Sequence, residues 1–366
     1  MAPEVTFSQR MLRAGGGWTA RLGALILAAA LLLVLQTSAA SDASAASAHA
    51  VPTSATPAPG ARLGATPGSV VIVFDEPLVA RLSGTTVTSP AGQKFTGTVS
   101  GKTIRVPLST NAPGIYQVHW KTVSVIDGHT ITGSYQFGVA VAPAVTTASA
   151  GATAQGPTAP DVIVAVLRGV EYALLLLACG LALLGVLGRG LPLRPSAVVV
   201  ADALLVSGVV VVAAEAVLAS SGLAVGGIAE YLTNGITGWA RVVRLALEAA
   251  LVGVAIARKR LSLVMLAGVI GAVAVAGHGA DVEPAWQGIA VNAAHLAAAG
   301  LWAGGIMALA LLKVTGQWQH AGRELLPRFR RVAPWAFLVS VVLGVVQAVQ
   351  LLGGPGQVLN TPYGLT

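Results

Sequence analysis

The sequence predicts two folds in one chain: an N-terminal all-β sandwich of the immunoglobulin-like, Greek-key type, followed by an all-α domain of several transmembrane helices. Hydrophobic residues make up 55% of the 366 residues and charged residues only 10%, with a mean hydropathy of +0.77. This composition is too apolar for an ordinary soluble protein. Apolar runs of membrane-spanning length begin only at Asp161, whereas residues 49–140 contain short alternating runs. The membrane part therefore follows a smaller β-domain.

The first 48 residues have the pattern of a secretory signal peptide. Three arginines precede an apolar stretch at 22–35, and a region of small residues ends at Ala48. We expect cleavage after Ala48, although the small residues 38–40 form a competing site. Cleavage after Ala48 makes His49 the first residue of the exported protein.

The β-sandwich is predicted to occupy residues 49–140. Short alternating runs at 69–74, 103–108 and 116–120 are separated by clusters of Gly, Pro, Ser and Asn. Several short strands at this spacing are typical of a β-sandwich. The Pro-, Ala-, Thr- and Gly-rich segment 141–160 has too little apolar content to pack, which predicts a linker.

Six apolar runs follow the linker, and each is long enough to cross a bilayer as a helix. The chain stops at Thr366 without a polar tail, so we expect a C-terminal truncation. The membrane domain is thus predicted over 161–366, with spans near 161–187, 196–218, 239–257, 261–279, 288–312 and 332–352.

The distribution of basic residues predicts the orientation of these spans. The loops at 219–238, 280–287 and 353–366 lie on the same side as the β-domain, and they contain no Lys or Arg. The alternate loops are basic, which places them in the cytoplasm. Their basic residues are Arg189, Arg194, Arg258, Lys259, Arg260, Lys313, Arg323, Arg328, Arg330 and Arg331.

Charge and cysteine content exclude several classes of protein. The net charge of +8 comes mainly from these short loops, a pattern that orients helices, so we expect no nucleic-acid partner. Cys179 is the single cysteine and lies in an apolar run, which excludes an internal disulfide and a thiolate cluster. Any bound metal must therefore have nitrogen and oxygen ligands.

Three residues of the β-domain suit a metal site. After cleavage, His49 offers its α-amine and an imidazole nitrogen to one ion. Asp127 and His129 are two positions apart, so their side chains share a face of an extended segment. This donor set suits tetragonal copper(II) better than soft copper(I), although zinc accepts the same ligands. Asp-Gly is also a common turn sequence and an exposed histidine needs no ligand role, so the three residues alone leave the site open.

A series of motifs in residues 49–140 carries a family resemblance in its order and spacing. The motifs are His49-Ala50, 57–61, Val71–Phe74 with Glu76-Pro77, Gly114–Tyr116, Val118–Trp120, Ser124–His129 and Gly133–Phe137. They resemble the CopC copper-binding family. The resemblance implies a CopC-like β-sandwich with a copper(II) site of the histidine-brace type on His49, Asp127 and His129.

Two further features of the β-domain bear on this site. Some CopC proteins have a second, methionine-rich copper(I) site, but all four methionines of this chain lie outside the β-domain. We therefore expect specificity for copper(II). His119 alternates with Val118 and Trp120, which predicts an exposed strand residue that is not a ligand.

Motifs of the membrane part carry a second resemblance. They are Gly277–Gly279, Asn292–His295, Leu301–Gly305, Arg328-Phe329, Gly344–Val346 and Thr361–Gly364. Over about 161–366 they resemble the CopD membrane family, and the fused order resembles copper uptake proteins of the YcnJ type.

Two histidines are predicted within the spans. His278 lies at the outer end of the fourth span, and His295 lies about seven residues into the fifth. Because a histidine in a spanning helix is costly, we predict a copper relay from this pair, aided by the thioether of Met307. The alternative is an interfacial His278 and a His295 that forms a hydrogen bond with a neighbouring helix.

Other charged residues also fall within the apolar spans. Glu171, Glu215 and Glu248 are candidate proton or metal waystations, with plain structural roles or solvation of Glu215 as the alternatives. Arg241 and Arg244 depart from the basic-loop pattern at the outer end of the third span. They are either functional or snorkel to the interface.

The sequence thus predicts a copper-binding and copper-transport protein of the bacterial plasma membrane, not an enzyme. The β-domain would capture copper(II) outside and deliver it to the membrane domain for import as copper(I) or copper(II). Its partners would be the copper ion, the lipid bilayer and an extracytoplasmic copper donor. Three alternatives stay open: copper tolerance or sensing without transport, a histidine-brace oxidase or monooxygenase, and haem binding by His278 and His295.

Overall fold

A computed structural model describes most of the chain from residue 50 onward. The described residues are 50–126, 128–143, 153–154, 159–188, 193–220, 222–257, 259–282 and 284–351. The predicted signal peptide, His49, Asp127 and the C-terminal end from 352 lie outside them.

The N-terminal domain is a sandwich of two sheets. One sheet has the strand order β1-β3-β7-β6, and the other has the order β10-β9-β8-β4-β5, with β2 parallel to β9. The strands are β1 Pro52–Thr56, β2 Arg62–Leu63, β3 Ser69–Phe74, β4 Gly84–Thr88, β5 Lys94–Thr96, β6 Thr98–Ser100, β7 Thr103–Pro107, β8 Gly114–Val123, β9 Thr130–Val139 and β10 Thr153–Ala154.

Alternating apolar residues form the core between the sheets. In β3, β7 and β8, buried residues alternate with more exposed ones, as the three predicted strands require. Ile72, Ile104 and Phe137 are completely buried. The predicted β-sandwich is therefore confirmed. One feature was not predicted: β10, which pairs with Ser134 and Gly133 of β9, lies inside the segment predicted as a linker.

The C-terminal domain is entirely helical in its described residues. A 3₁₀ turn at His278–Asp281 precedes α6, and a short π-helical segment at Trp318–Gly322 precedes α7. The helices are α1 Ala159–Leu187, α2 Arg194–Ser220, α3 Val225–Thr233, α4 Gly235–Ala257, α5 Lys259–Val275, α6 Ala285–Val314 and α7 Arg323–Leu351.

Each of the six predicted spans overlaps a helix, but the fourth, 261–279, runs past the end of α5 at Val275, so His278 lies in the following 3₁₀ turn and not in an α-helix. The last residue of the sixth span, 352, lies outside the described residues. Four helices, α1, α2, α6 and α7, are long and apolar enough to cross a membrane. The helix α5 has only 17 residues. The helix α4 carries three charged residues within one span length, Arg241, Arg244 and Glu248. The short helix α3 lies in the segment predicted as an outer loop.

Glycines bring α1 and α6 into close backbone contact. A Cβ on Gly180 would overlap the carbonyl of Gly304, and a Cβ on Gly304 would overlap the carbonyl oxygen of Leu176. Small residues at such crossings are typical of helix packing in membranes. Gly305 is also closely packed, because a Cβ there would overlap the ring of Phe329.

We expect Gly304→Ala to destabilise the helical domain by about 1–3 kcal/mol, because the added methyl group meets backbone atoms that no rotamer change can move. Thermal unfolding in detergent measures this effect. Gly185→Ala in α1 is the matched control, since a Cβ there has nothing within 4 Å. Equal unfolding temperatures for the two variants would contradict the packing role of Gly304.

Candidate metal centre

The chain enters the sandwich at a buried residue, Ala50. Its exposed fraction is 0%, and its carbonyl oxygen accepts a hydrogen bond of 3.1 Å from Thr122 Oγ1. Its φ of 57° lies in the left-handed region, which costs a non-glycine residue roughly 1–2 kcal/mol. The next residue is also held, because the Val51 carbonyl accepts from the Asp75 amide at 3.1 Å. His49 is therefore joined directly to a fixed point of the core.

The same point lies close to the strand that follows His129. Thr122 of β8 pairs with Ile131 of β9, and Thr122 Oγ1 also lies 3.4 Å from the Ile131 carbonyl oxygen. Ile131 is only two residues beyond His129. The fold thus brings Ala50 and the His129 segment to the same end of the sandwich.

The loop Ser124–His129, which joins β8 to β9, is closed by its own backbone. The Ser124 amide donates to the His129 carbonyl at 3.0 Å, and the Gly128 amide donates to the Ser124 carbonyl at 3.1 Å. The Ile126 amide donates to Ser124 Oγ at 2.9 Å. Gly128 has a φ of 75°, a conformation that favours glycine. These bonds hold the described backbone on both sides of Asp127.

Of the three predicted copper(II) ligands, the structure describes only His129, which is half-buried and has a polar or electrostatic partner. Among the described residues no group of three or more His, Cys, Asp or Glu side chains is arranged to hold a metal. His119 is exposed on β8, opposite Thr86 and Ser134, as its alternation predicted.

The loop Ser124–His129 docks on the helical domain. Thr237 Oγ1 of α4 donates to the Val125 carbonyl oxygen at 2.8 Å. A Cβ on Gly128 would overlap Arg241 Nη2 and would lie 2.9 Å from Tyr231 Cε2. The predicted metal-binding loop is therefore in contact with α3 and α4.

A lysine and an apolar cluster extend this contact. Lys121 Nζ donates to the carbonyls of Leu218 and Ala219 at 3.0 and 2.7 Å, which satisfies acceptors at the C-terminal end of α2. Burial lowers the pKa of the Lys121 ammonium group below its usual value. The apolar cluster is formed by Val79, Val123, Ala216, Ala219 and Tyr231.

An ion-paired group lies behind Gly128. Arg168 Nε donates to Glu215 Oε1 at 2.5 Å, and the Tyr231 hydroxyl donates to Glu215 Oε2 at 2.9 Å. The Arg241 guanidinium lies over the Tyr231 ring, 4.3 Å from its centroid. Glu215 is therefore largely buried and ion-paired, and Arg241 is linked to it through Tyr231.

A second ion-paired group lies beside the first. Arg244 Nη2 is 3.0 Å from Glu171 Oε1, and Arg244 Nε is 3.6 Å from Glu248 Oε1. Arg241 and Arg244 are only 4% and 9% exposed, so the snorkelling interpretation is wrong for both. Burial is tolerated because each arginine has a partner in the same low-dielectric environment.

A polar cavity of about 330 Å³ lies between the two ion-paired groups and His295. Both ion-paired groups contribute side chains to it, and so does His295 of α6. Its lining residues are Arg168, Glu171, Tyr172, Glu215, Arg241, Arg244, Val273, Ala276, Gly277, Asn292, His295, Leu296 and Gln347.

One nitrogen of His295 is held by the neighbouring helix. His295 Nδ1 lies 2.9 Å from the Ser340 carbonyl oxygen of α7, which can only accept, so Nδ1 donates. In the neutral ring this leaves Nε2 with the lone pair that a metal ligand requires. A Cβ on Gly344 would lie 3.1 Å from His295 Cε1, so this glycine makes room for the ring. The predicted hydrogen bond to a neighbouring helix is thus compatible with a ligand role, because metal-bound histidines commonly donate their other nitrogen.

The other two predicted relay residues differ in position. The backbone at His278 follows Gly277, which lines the cavity, and Gly279 packs directly on Gly288 of α6. The side chain of His278 lies outside the described part of the structure. Met307 packs against the apolar core of the helical domain, twelve residues and roughly 18 Å along α6 from His295.

Several site residues were missed by the sequence analysis. Arg168 carried a usable signal, since it is a charged residue within a predicted span. Lys121, Tyr231 and Thr237 carried none, because their roles depend on the docking of two domains.

Comparison with known proteins agrees with the N-terminal fold. Copper transport protein CutJ of Bacillus subtilis (strain 168) is 34% identical over 106 residues, which are 28% of this chain and 19% of that protein. The match thus spans about a fifth of the length of this relative. The crystal structure of CopC from Methylosinus trichosporium OB3b aligns at 23% identity over 25% of this chain and 93% of that chain, with a TM-score of 0.23. Residues 52–140 match the CopC domain family, and the two-sheet sandwich that they form is a CopC-like domain.

Proposed function

We propose that the β-domain captures copper(II) outside the membrane and passes it to the helical domain, which moves it inward. One observation carries this proposal: Arg241 contacts the loop Ser124–His129 and also lines the cavity that contains His295. Arg241 therefore borders both Gly128 of this loop and the polar cavity of the helical domain.

The capture step rests on the chemistry of three ligands. His49 would supply its amine and imidazole, His129 a second imidazole and Asp127 a carboxylate, a set that suits copper(II). The burial of Ala50 and its bond to Thr122 support this set, because they hold the chain next to His49 near the strand after His129. The family match and the copper-transport name of a relative point to the same cargo.

The membrane step rests on the cavity and on His295. With Nδ1 committed to Ser340, His295 Nε2 is the ring atom that would bind a copper ion. The two ion-paired groups contain three arginines and three glutamates, so their formal charges balance. An incoming copper ion would therefore not meet an uncompensated positive charge inside the cavity.

We expect the fragment 49–143 with a native His49 terminus to bind copper(II) tightly, and one added N-terminal residue to weaken binding by at least about 100-fold. The extension removes the amine from the chelate and shifts the terminus by about 3.8 Å. Copper(II) titration in competition with a chelator measures both affinities. The fragment has its own apolar core, separate from that of the helical domain.

His119→Ala is the matched control for His129→Ala, since His119 is exposed on the middle of β8. We expect only His129→Ala to weaken binding. Equal, weak binding of copper(II) by the fragments with native and extended termini would contradict a histidine-brace site at His49. Rapid ascorbate-driven peroxide formation by the fragment would favour the oxidase alternative.

We expect cells that express the complete protein to accumulate more copper than cells without it, and His295→Gln to abolish the difference. The substitution removes the imidazole and leaves the β-domain unaltered. Copper content per cell is the measurement, with His119→Gln as the matched control. Unchanged or lower accumulation with the wild-type protein would contradict import, and altered copper tolerance at constant accumulation would favour the tolerance alternative.

A further inference from the structure

Two buried carboxyl groups of the helical domain face a single arginine. Arg244 Nη2 lies 3.0 Å from Glu171 Oε1, and Arg244 Nε lies 3.6 Å from Glu248 Oε1. Glu171 and Glu248 are only 6% and 1% exposed. The Glu171–Arg244–Glu248 group, with members from α1 and α4, therefore combines one fixed positive charge with two groups that can become negative.

The carboxyl group of Glu248 lacks donors. Neither of its oxygens has a hydrogen-bond partner among the described residues, because 3.6 Å to Arg244 Nε is too long for a hydrogen bond. Oε2 lies against the backbone of α2, where a Cβ on Gly208 would overlap it. An ionised carboxyl group without donors costs much more to bury than the neutral acid does. These surroundings therefore favour a protonated Glu248.

The helices packed against α4 bring no second positive charge to Glu248 within the described part of the chain. Arg168 of α1 pairs with Glu215 of α2, which also accepts a hydrogen bond from Tyr231 of α3. Arg241 lies on the Tyr231 ring and has a further polar or electrostatic partner. Residues 261–275 of α5 include no titratable side chain. Arg244 and Glu171 are thus the charged groups that act on Glu248.

One guanidinium cannot balance two carboxylates in the same low-dielectric region. Arg244 is nearer to Glu171, so Glu171 keeps the ion pair and Glu248 takes up a proton. Carboxyl groups as close as these bind and release such a proton as a unit. Because Glu171 lines the polar cavity, it connects this unit to the cavity.

We propose that the Glu171–Arg244–Glu248 group is a proton-binding site, which holds one proton on Glu248. This site goes beyond the proposed copper function, because it gives the helical domain a second cation to bind, whatever metal it moves. The state in which all three glutamates of the two ion-paired groups are ionised is then the state reached after proton release. A carboxyl group that exchanges a proton inside a helical membrane domain is the element that proton-coupled transport requires.

We expect the infrared spectrum of the full-length protein in detergent at neutral pH to contain the carbonyl stretching band of a protonated carboxyl group, and Glu248→Gln to remove this band. Glutamine has the shape of the neutral acid but lacks the band. Glu324→Gln is the matched control and should keep the band, since the Glu324 side chain is 45% exposed and lies 2.8 Å from Arg328. A wild-type protein without the band, or Glu248→Gln with the band unchanged, would overturn the inference.

Glu171→Gln tests whether the two carboxyl groups share the proton. The substitution leaves Glu248 as the only carboxyl group beside Arg244, so we expect Glu248 to ionise and the same infrared band to disappear. A band that persists in Glu171→Gln would overturn the sharing of one proton by this group.

Thermal unfolding in detergent at neutral pH provides a second test. We expect Glu248→Gln to unfold near the wild-type temperature, because glutamine replaces a neutral group of the same shape. Glu215→Gln should unfold at a clearly lower temperature, because it leaves Arg168 without its buried partner. An equal loss in both variants would indicate an ionised Glu248 and overturn the inference. Neither measurement uses copper, so a failure of the proposed copper function would leave this result unaffected.

Discussion

The pairing of β8 with β9 is the constraint on which the positions of Ala50 and of the loop Ser124–His129 both depend. The ladder runs without a break from Gly114↔Val139 to Val123↔Thr130. Its register sets Thr122 opposite Ile131, which fixes Ala50, and it closes the loop Ser124–His129 at its end. A slip of one residue would turn the buried face of each strand outward and separate these parts. The candidate metal centre is therefore a consequence of strand register.

The helical domain faces a different constraint, the burial of charge. Arg168 lies in α1, which is long and apolar enough to cross a membrane, and Arg241 and Arg244 lie in α4. Glutamates or an aromatic ring cover all three. Removing one partner of such a buried pair typically costs about 3–5 kcal/mol, because it leaves a charge without compensation. Ion pairing thus allows these charged side chains to be buried within a stably packed apolar domain. The cavity of about 330 Å³ is lined by side chains of both groups.

Periodicity predicted much of the architecture and little of the contact between domains. The alternation at 69–74 and the apolar runs translate directly into strands and helices, because each depends on local spacing. Contact between the two domains depends on surfaces that meet only in the folded chain, so no sequence pattern near Lys121 or Thr237 predicted it. Arg241 shows the difference most clearly. The distribution of basic residues left Arg241 as either functional or snorkelling to the interface. In the structure, a loop more than 100 residues earlier in the chain covers its guanidinium.

Under the proposed cleavage after Ala48, the burial of Ala50 would link copper affinity to processing of the chain. Because Ala50 is anchored in the core, the residue before it has a fixed point of attachment whether or not anything precedes it. An unprocessed precursor would therefore fold the same sandwich while its His49 nitrogen remained an amide, which binds copper poorly. Under the proposed cleavage, signal peptidase would activate the site by converting the amide nitrogen of His49 into a free amine. The chain would bind copper tightly only after it has left the cytoplasm, where premature copper binding by the precursor would do harm.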